Sequence, residues 1–115
     1  MKVIVCGGRD YANVEMLNLV LDELHAKTPI SVLIQGGAAG ADELAFRWFA
    51  TKPGMHGITH YADWKKHGRA AGPIRNARML EEAPDVVVAF PGGRGTANMI
   101  KQAKAAGVPV IEVEE

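Results

Sequence analysis

Short hydrophobic runs alternate along the chain with longer segments of helical periodicity. The first run, KVIVC at residues 2–6, has consecutive apolar positions after its lysine and ends at a Gly-Gly pair. Consecutive apolar positions are typical of a strand that is buried on both faces of a parallel sheet. Apolar side chains then recur at the spacing of one helical face: Met16, Leu17, Val20, Leu21 and Leu24. This second segment predicts a helix with Asn13 as its N-cap.

The pattern of a strand followed by a helix repeats through the middle of the chain. SVLIQ at residues 31–35 predicts a second strand with a helix after it, and residues 55–61 give a weaker signal for a third strand. A loop over residues 62–72 then leads to a helix that begins at Pro73, a favoured first position. Pro84 ends that helix because proline cannot continue it.

The last third of the chain completes the same alternation. DVVVAF at residues 85–90 predicts a fourth strand buried on both faces, and a helix over residues 96–106 ends at Gly107. The fifth strand, residues 108–113, contains Pro109 and therefore suits a sheet edge. Alternating strands and helices with short connections predict parallel pairing and right-handed crossovers. We predict a three-layer α/β Rossmann-like sheet of about five strands in the order 3-2-1-4-5, with the flavodoxin-like order second.

Length, charge and cysteine content narrow the class of protein. A chain of 115 residues with 48% hydrophobic content suits one domain over residues 1–115. Thirteen basic residues balance thirteen acidic ones, so no net field attracts nucleic acid or an anionic membrane. Cys6, the single cysteine, excludes a disulfide framework and suits a buried core thiol. The apolar N-terminal run is too short for a signal peptide or a membrane span, so we expect a cytoplasmic protein.

Three glycine-rich turns follow three of the predicted strands: Gly7 and Gly8, then Gly36, Gly37 and Gly40, then Gly92, Gly93 and Gly95. In a doubly wound sheet all three turns emerge at the carboxyl edge, where ligands bind. Glycine lets backbone N–H groups come close to a ligand, and each turn opens a helix whose N-terminus favours an anion. One such turn is weak support for a site, but three on one edge favour an anion-binding pocket.

Cationic and hydroxyl side chains accompany these turns. Arg9 follows the first turn, and Arg94 lies at the tip of the third, where Thr96 adds a hydroxyl donor at the helix start. Arg75, with its neighbour Asn76, lies in the first turns of the fourth helix, where the helix dipole disfavours a positive charge. An anionic ligand offsets that cost, and the bidentate geometry of arginine suits phosphate.

Several of these side chains have a second interpretation. Arg75 and Arg78 lie three residues apart on one helical face and also suit ion pairs with Glu81 or Glu82, or plain solvation. Asp42, near a helix start, either interacts with the helix dipole or accepts hydrogen bonds from ribose hydroxyls. Trp64, in a predicted loop, either covers a base or anchors the loop by packing.

No complete catalytic motif is present. The absence of G-x-x-x-x-G-K-[ST] and of G-x-G-x-x-G disfavours an ATPase and a standard dehydrogenase. The chain also lacks a G-x-S-x-G elbow and a Cys/His nucleophile pairing. Its four histidines lack metal-ligand spacing, so we expect no metal site and no required cofactor. The sequence predicts a binding pocket more clearly than a catalyst.

Four segments together resemble the SLOG superfamily: VIVCGGRDY, QGGAAGADELA, ADWKKHGRAAGPIRNARML and VVVAFPGGRGTANMI. They cover nearly the whole chain, and their order and spacing are similar to those of the small YspA/YpsA-related branch. The resemblance implies a Rossmann-like fold with a glycine-rich site for nucleotides or nucleotide-derived ligands, including ADP-ribose-type molecules. Related SLOG proteins commonly pair, so we also expect a homo-oligomer.

The "lonely guy" phosphoribohydrolases, a sister branch that releases a base from nucleoside monophosphates, resemble this chain in the PGGRGT loop and at Arg75. That family follows its P-G-G-x-G-T with a Glu-containing pair used in catalysis, whereas ANM, residues 97–99, stands here. A nearby carboxylate stabilises the oxocarbenium character of glycosidic cleavage, so Asn98 is a poor replacement. Asp42 and Asp10 are the remaining acidic candidates.

Three functions are consistent with these features. We expect first a sensor or sequestering module that binds a nucleoside phosphate or an ADP-ribose-type ligand. The alternative is an N-glycosidase or phosphoribohydrolase acting on nucleoside phosphates. The third function, taken from a SLOG branch that handles single-stranded DNA, is disfavoured by the balanced charge and by the lack of an aromatic-basic stripe.

Overall fold

The chain is built around a parallel sheet of five strands, and the computed structural model describes residues 1–115. The strands are β1 (Lys2–Cys6), β2 (Val32–Gln35), β3 (His56–Thr59), β4 (Val86–Ala89) and β5 (Val110–Glu112). They pair in the order β3-β2-β1-β4-β5, and every pairing is parallel. The predicted α/β class and strand order are therefore confirmed, with β1 at the centre.

Helices connect the strands on both sides of the sheet. They are α1 (Val14–Lys27), α2 (Ala41–Ala50), α3 (Trp64–His67), α4 (Ala71–Leu80) and α5 (Arg94–Ala105), with a 3-10 turn (Gly68–Ala70) between α3 and α4. The predicted cap of α1 is present, because the Asn13 side chain accepts a hydrogen bond from the Met16 N–H (3.1 Å). None of the helices is both long and apolar enough to cross a membrane.

The core divides into two clusters, one on each face of the sheet. Successive side chains of a strand point to opposite faces, so Val3 and Val5 of β1 join the cluster that also contains buried residues of α1 and α2. Ile4 and Cys6 join the other cluster, which includes Met99 of α5 and a methionine of α4. Burial on both faces explains why the sequence of β1 is apolar at consecutive positions.

The structure corrects the predicted start of two helices. The sequence predicts an unstructured loop before a helix that begins at Pro73, but α4 begins at Ala71 and Trp64 starts the short helix α3. Asp63 caps α3 with its side chain, which accepts a backbone hydrogen bond (3.1 Å). Proline suits the third position of α4 because amides in the first turn lack an intrahelical partner. Helix α5 likewise begins two residues before its predicted start, at Arg94.

Backbone contacts hold the loops together where the strands end. The Gly8 N–H donates to the Pro91 carbonyl (2.9 Å), and the Gly8 carbonyl accepts from the Ala41 N–H (3.1 Å). A Cβ atom on Gly40 would overlap the Gly8 carbonyl oxygen, and the φ angle of Gly40 is +75°. Gly40 is therefore required both by its backbone conformation and by this close approach.

We predict that Gly40→Ala destabilises the protein more than Gly107→Ala. Gly107 has the same φ angle of +75°, but nothing lies within 4 Å of a Cβ atom placed there. Gly107→Ala should cost about 1–2 kcal/mol for the left-handed backbone, and Gly40→Ala about 1–3 kcal/mol more for the forced displacement of its neighbours. Urea unfolding of both variants measures the difference, and equal losses would contradict this account of the loop contacts.

Candidate functional site

A cavity of about 1000 Å³ opens at the carboxyl edge of the sheet. The loops after β1 and β4 form two of its walls, and α4 contributes a third. Thirteen of the predicted residues line it: Gly7, Gly8, Arg9, Asp10, Asp42, Trp64, Arg75, Asn76, Gly92, Gly93, Arg94, Gly95 and Thr96. The parallel sheet brings these residues together because the carboxyl ends of its strands share one edge.

A smaller cavity of about 310 Å³ adjoins the main one. Gly36 and Gly37 of the loop after β2 line this smaller cavity, whereas Gly40 lines neither. Four residues line both cavities and therefore lie at the boundary between them: Arg9, Ala38, Trp64 and Arg75. The three glycine-rich turns therefore lie on one edge, as expected, but are distributed over two adjoining cavities.

Arg75 is held between two neutral acceptors. Its Nη1 donates to the Gly36 carbonyl (2.8 Å), and its Nε donates to Oδ1 of Asn76 (3.0 Å). No carboxylate forms an ion pair with Arg75. Burial lowers the pKa of the Arg75 guanidinium, and the charge of Asp42 opposes that shift. The group stays protonated at neutral pH, so its positive charge faces both cavities without a direct counterion.

Arg78 takes no part in this arrangement. It is exposed on α4 and lines neither cavity, although the sequence places it on one face with Arg75. The alternative of ion pairs with Glu81 or Glu82 is wrong for both arginines, because neither arginine forms a salt bridge. Of the two arginines, only Arg75 reaches the cavities.

Amide side chains connect α4 to the start of α5. Nδ2 of Asn76 donates to the Gly95 carbonyl (3.2 Å) and to Oδ1 of Asn98 (3.1 Å). Nε2 of Gln102 donates to the same Asn98 oxygen (2.7 Å). Met99 is fully buried in the core. After the PGGRGT loop, this chain thus has an amide that connects two helices and a core methionine.

The start of α5 faces the main cavity. Its first amides lack intrahelical partners, and Gly93 at the N-cap supplies no side-chain hydrogen bond. A Cβ atom on Gly92 would overlap Oγ1 of Thr96, so the loop backbone packs directly on this buried hydroxyl. The partial positive charge at a helix N-terminus without a side-chain cap favours an anion.

Asp42 is a buried carboxylate in the first turn of α2. Only 7% of the residue is exposed, and its Oδ2 accepts a hydrogen bond from the Ala38 N–H (3.1 Å). Burial raises the pKa of Asp42, while the Ala38 amide and the charge of Arg75 oppose the rise. No cation forms an ion pair with it. Both predicted roles suit this position, because the carboxylate lies at a helix start and lines the main cavity.

Cys6 also lines the main cavity, but its thiol is unreactive at neutral pH. Burial, together with the charge of Asp42, raises the pKa of its thiol from 9.0 to about 12. Thiols react as thiolates, so a thiol with this pKa is a poor nucleophile at neutral pH. This is the behaviour expected of the core thiol that the sequence predicts.

Several lining residues were not predicted as part of the site, and Ala38, Tyr61 and Asn98 are three of them. Tyr61 follows β3, whose carboxyl end lies at the same edge of the sheet as the glycine-rich turns. That position in the sequence is the signal from which Tyr61 could have been predicted. Asn98 lies one helical turn after the third glycine turn, on the side of α5 that faces α4. Ala38 contributes through its backbone, so its side chain gave no signal.

Two comparisons place the chain among known proteins. The model of the YspA, cpYpsA-related SLOG family (YAcAr) matches residues 1–67. The Gene 61 protein of Mycobacterium phage D29 is 38% identical over 117 residues, which cover 96% of this chain and 94% of the phage protein. The family match includes the first two glycine-rich turns and Trp64, and the phage protein extends the similarity over nearly the whole chain.

We predict that Asp42→Asn gains stability relative to the wild type as the pH rises. Burial raises the pKa of Asp42 in the folded protein above its ordinary value of 3.8. The folded state therefore binds this proton more tightly than the unfolded state, and the stability so gained is lost as the pH rises through the folded pKa. Asparagine does not titrate, so the Asp42→Asn variant does not lose stability in this way.

Urea unfolding at several pH values from about 4 to about 7.5 measures the difference between variant and wild type. Glu43→Gln, which removes the exposed carboxylate next in the chain, controls for the change in net charge. A difference that stays constant with pH, or that falls, would contradict the assigned effect of burial.

Proposed function

The chain belongs to the YspA, cpYpsA-related SLOG family, and we propose that it binds a nucleotide or nucleotide-derived ligand at the carboxyl edge of its sheet. The ligand is a nucleoside phosphate or an ADP-ribose-type molecule, and the protein acts as its sensor or sequesters it. The observation that carries the proposal is Arg75, whose half-buried charge faces the cavity without an ion-pair partner.

The phosphate lies between Arg75 and the start of α5. Nε and Nη1 of Arg75 are bonded to the protein, whereas no protein group accepts a hydrogen bond from Nη2. That nitrogen is left for an anionic oxygen, and the open amides at the start of α5 face the same cavity. Guanidinium groups and helix N-termini are the usual partners of phosphate.

The ribose lies against Asp42. A buried carboxylate is stabilised by the hydrogen bonds that it accepts, and Oδ2 of Asp42 accepts one from the Ala38 N–H (3.1 Å). Ribose hydroxyls are donors of the kind that such a carboxylate accepts in dinucleotide-binding folds. A ligand with both phosphate and ribose therefore matches the positive and negative groups that line the cavity.

Hydrolysis of an N-glycosidic bond is a second candidate function, and the burial of Asp42 in the main cavity is the observation that favours it. A carboxylate near the anomeric carbon stabilises the positive charge that develops there. Incubation with AMP and with ADP-ribose, followed by chromatography, tests this function. Release of free base that is lost in Asp42→Asn would make the protein a hydrolase, and we expect no release.

We predict that AMP or ADP-ribose raises the melting temperature of the wild type. A ligand at a hundredfold excess over its Kd stabilises the folded state by about 2.7 kcal/mol. Arg75→Ala should weaken binding about tenfold to a hundredfold, since hydrogen bonds to a charged group are worth about 1.5–3 kcal/mol. Arg78→Ala removes the same side chain from the exposed side of the same helix and should leave binding unchanged.

A thermal-shift titration of the wild type and both variants measures these effects. If no nucleotide shifts the wild type, the proposed function is wrong. If Arg75→Ala and Arg78→Ala bind alike, the ligand is bound somewhere other than at the Arg75 guanidinium.

A further inference from the structure

Two exposed aromatic side chains stand at the smaller cavity. Tyr61 is 75% exposed and Trp64 is 48% exposed, and both line this cavity of about 310 Å³. Aromatic rings contribute most to binding when a partner removes them from water. Neither residue is needed for the phosphate and ribose contacts proposed for the main cavity.

Tyr61 is fixed in place by a glycine. A Cβ atom on Gly37 would overlap Cε1 of the Tyr61 ring, so the ring lies directly on the glycine backbone. Gly37 has a φ angle of +71°, which belongs to the sharp turn after β2. Packing on this turn holds part of the ring, and the large exposed fraction shows that much of it remains free for contact.

Trp64 is fixed from two sides. The Arg9 guanidinium lies over its ring, 5.3 Å from the ring centre, and a Cβ atom on Gly72 would meet the Trp64 ring at Cη2 (3.4 Å). The Asp63 cap also sets the backbone of α3, in which Trp64 is the first residue. The indole is therefore positioned before any ligand arrives, which reduces the entropy lost on binding.

From this arrangement we infer that the smaller cavity is the subsite for the planar base of the ligand, which stacks on Tyr61 and Trp64. The inference rests on the proposed function and deepens it, since it requires a ligand that carries an aromatic base. Arg9 and Arg75 line both cavities, so they lie between the base and the phosphate. A nucleotide that follows this path places its ribose and phosphate towards the main cavity.

Stacking recognises the face of a base and tolerates differences between bases, because every base has a π-face. The subsite therefore distinguishes ligands with a base from ligands without one. AMP and ribose 5-phosphate share the sugar and phosphate but differ in the base, so their comparison isolates this subsite.

We predict that Trp64→Leu weakens AMP binding about fivefold to a hundredfold, the range for loss of one stacked base. The same variant should leave ribose 5-phosphate binding unchanged, and Tyr61→Leu should show the same selectivity. Trp64→Phe keeps a ring in place and should retain most of the affinity for AMP. Isothermal titration calorimetry measures all four variants, the fourth being the control Phe46→Leu.

Phe46→Leu is a matched control because Phe46 has the same exposed fraction as Trp64, 48%, and lines neither cavity. Fluorescence gives a second readout, since Trp48 is buried and Trp64 is the exposed tryptophan. AMP should quench the emission of the wild type but not that of Trp64→Phe, and ribose 5-phosphate should quench neither. Far-UV circular dichroism establishes that each variant is folded.

The outcomes separate the two proposals. If Trp64→Leu weakens the binding of AMP and of ribose 5-phosphate equally, or weakens the binding of neither, the base does not stack on Trp64 and the proposed subsite is wrong. In that case the proposed function still stands, because the wild type binds both ligands. If neither ligand binds the wild type, the proposed function is wrong and the base subsite is overturned with it.

Discussion

The backbone of Gly8 joins the three loops on which the site depends. Its N–H donates to the Pro91 carbonyl (2.9 Å), and its carbonyl accepts from the amides of Ala41 (3.1 Å) and Tyr11 (3.2 Å). The loops after β1, β2 and β4 are thus held at backbone distance, which only glycine permits at Gly40. The shape of the main cavity therefore follows from main-chain hydrogen bonds, and its side chains act within a rigid frame.

Within that frame Asp42 is buried and Arg75 is half-buried, and no ion pair neutralises either charge. Arg75 is oriented by a carbonyl and an amide oxygen, and Asp42 by a backbone N–H. Each group affects the pKa of the other, yet no ion pair joins them. Neutral partners fix the direction of each side chain while leaving its charge to act on a ligand, which is a form of electrostatic preorganisation.

The sequence predicted the features that local patterns determine and missed those that depend on tertiary contacts. Strand β1 was correct to the residue because burial on both faces leaves an uninterrupted apolar run. Helix α3 was missed because four residues are too few to show a helical period. The glycine-rich turns are distributed over two cavities, and Arg9 and Trp64, which line both, meet in a tertiary contact that no local pattern reveals.

The central claim, that the open start of α5 and the Arg75 guanidinium hold a phosphate, is tested most directly by NMR. A titration of 15N-labelled protein with AMP reports each backbone amide and the Arg75 Nε–H separately. The account predicts the largest shifts at the amides of Gly95 and Thr96 and at the Arg75 Nε–H, which reports on the guanidinium whose Nη2 binds the phosphate. Absent shifts, or shifts confined to the outer surfaces of α1 and α2, would contradict it.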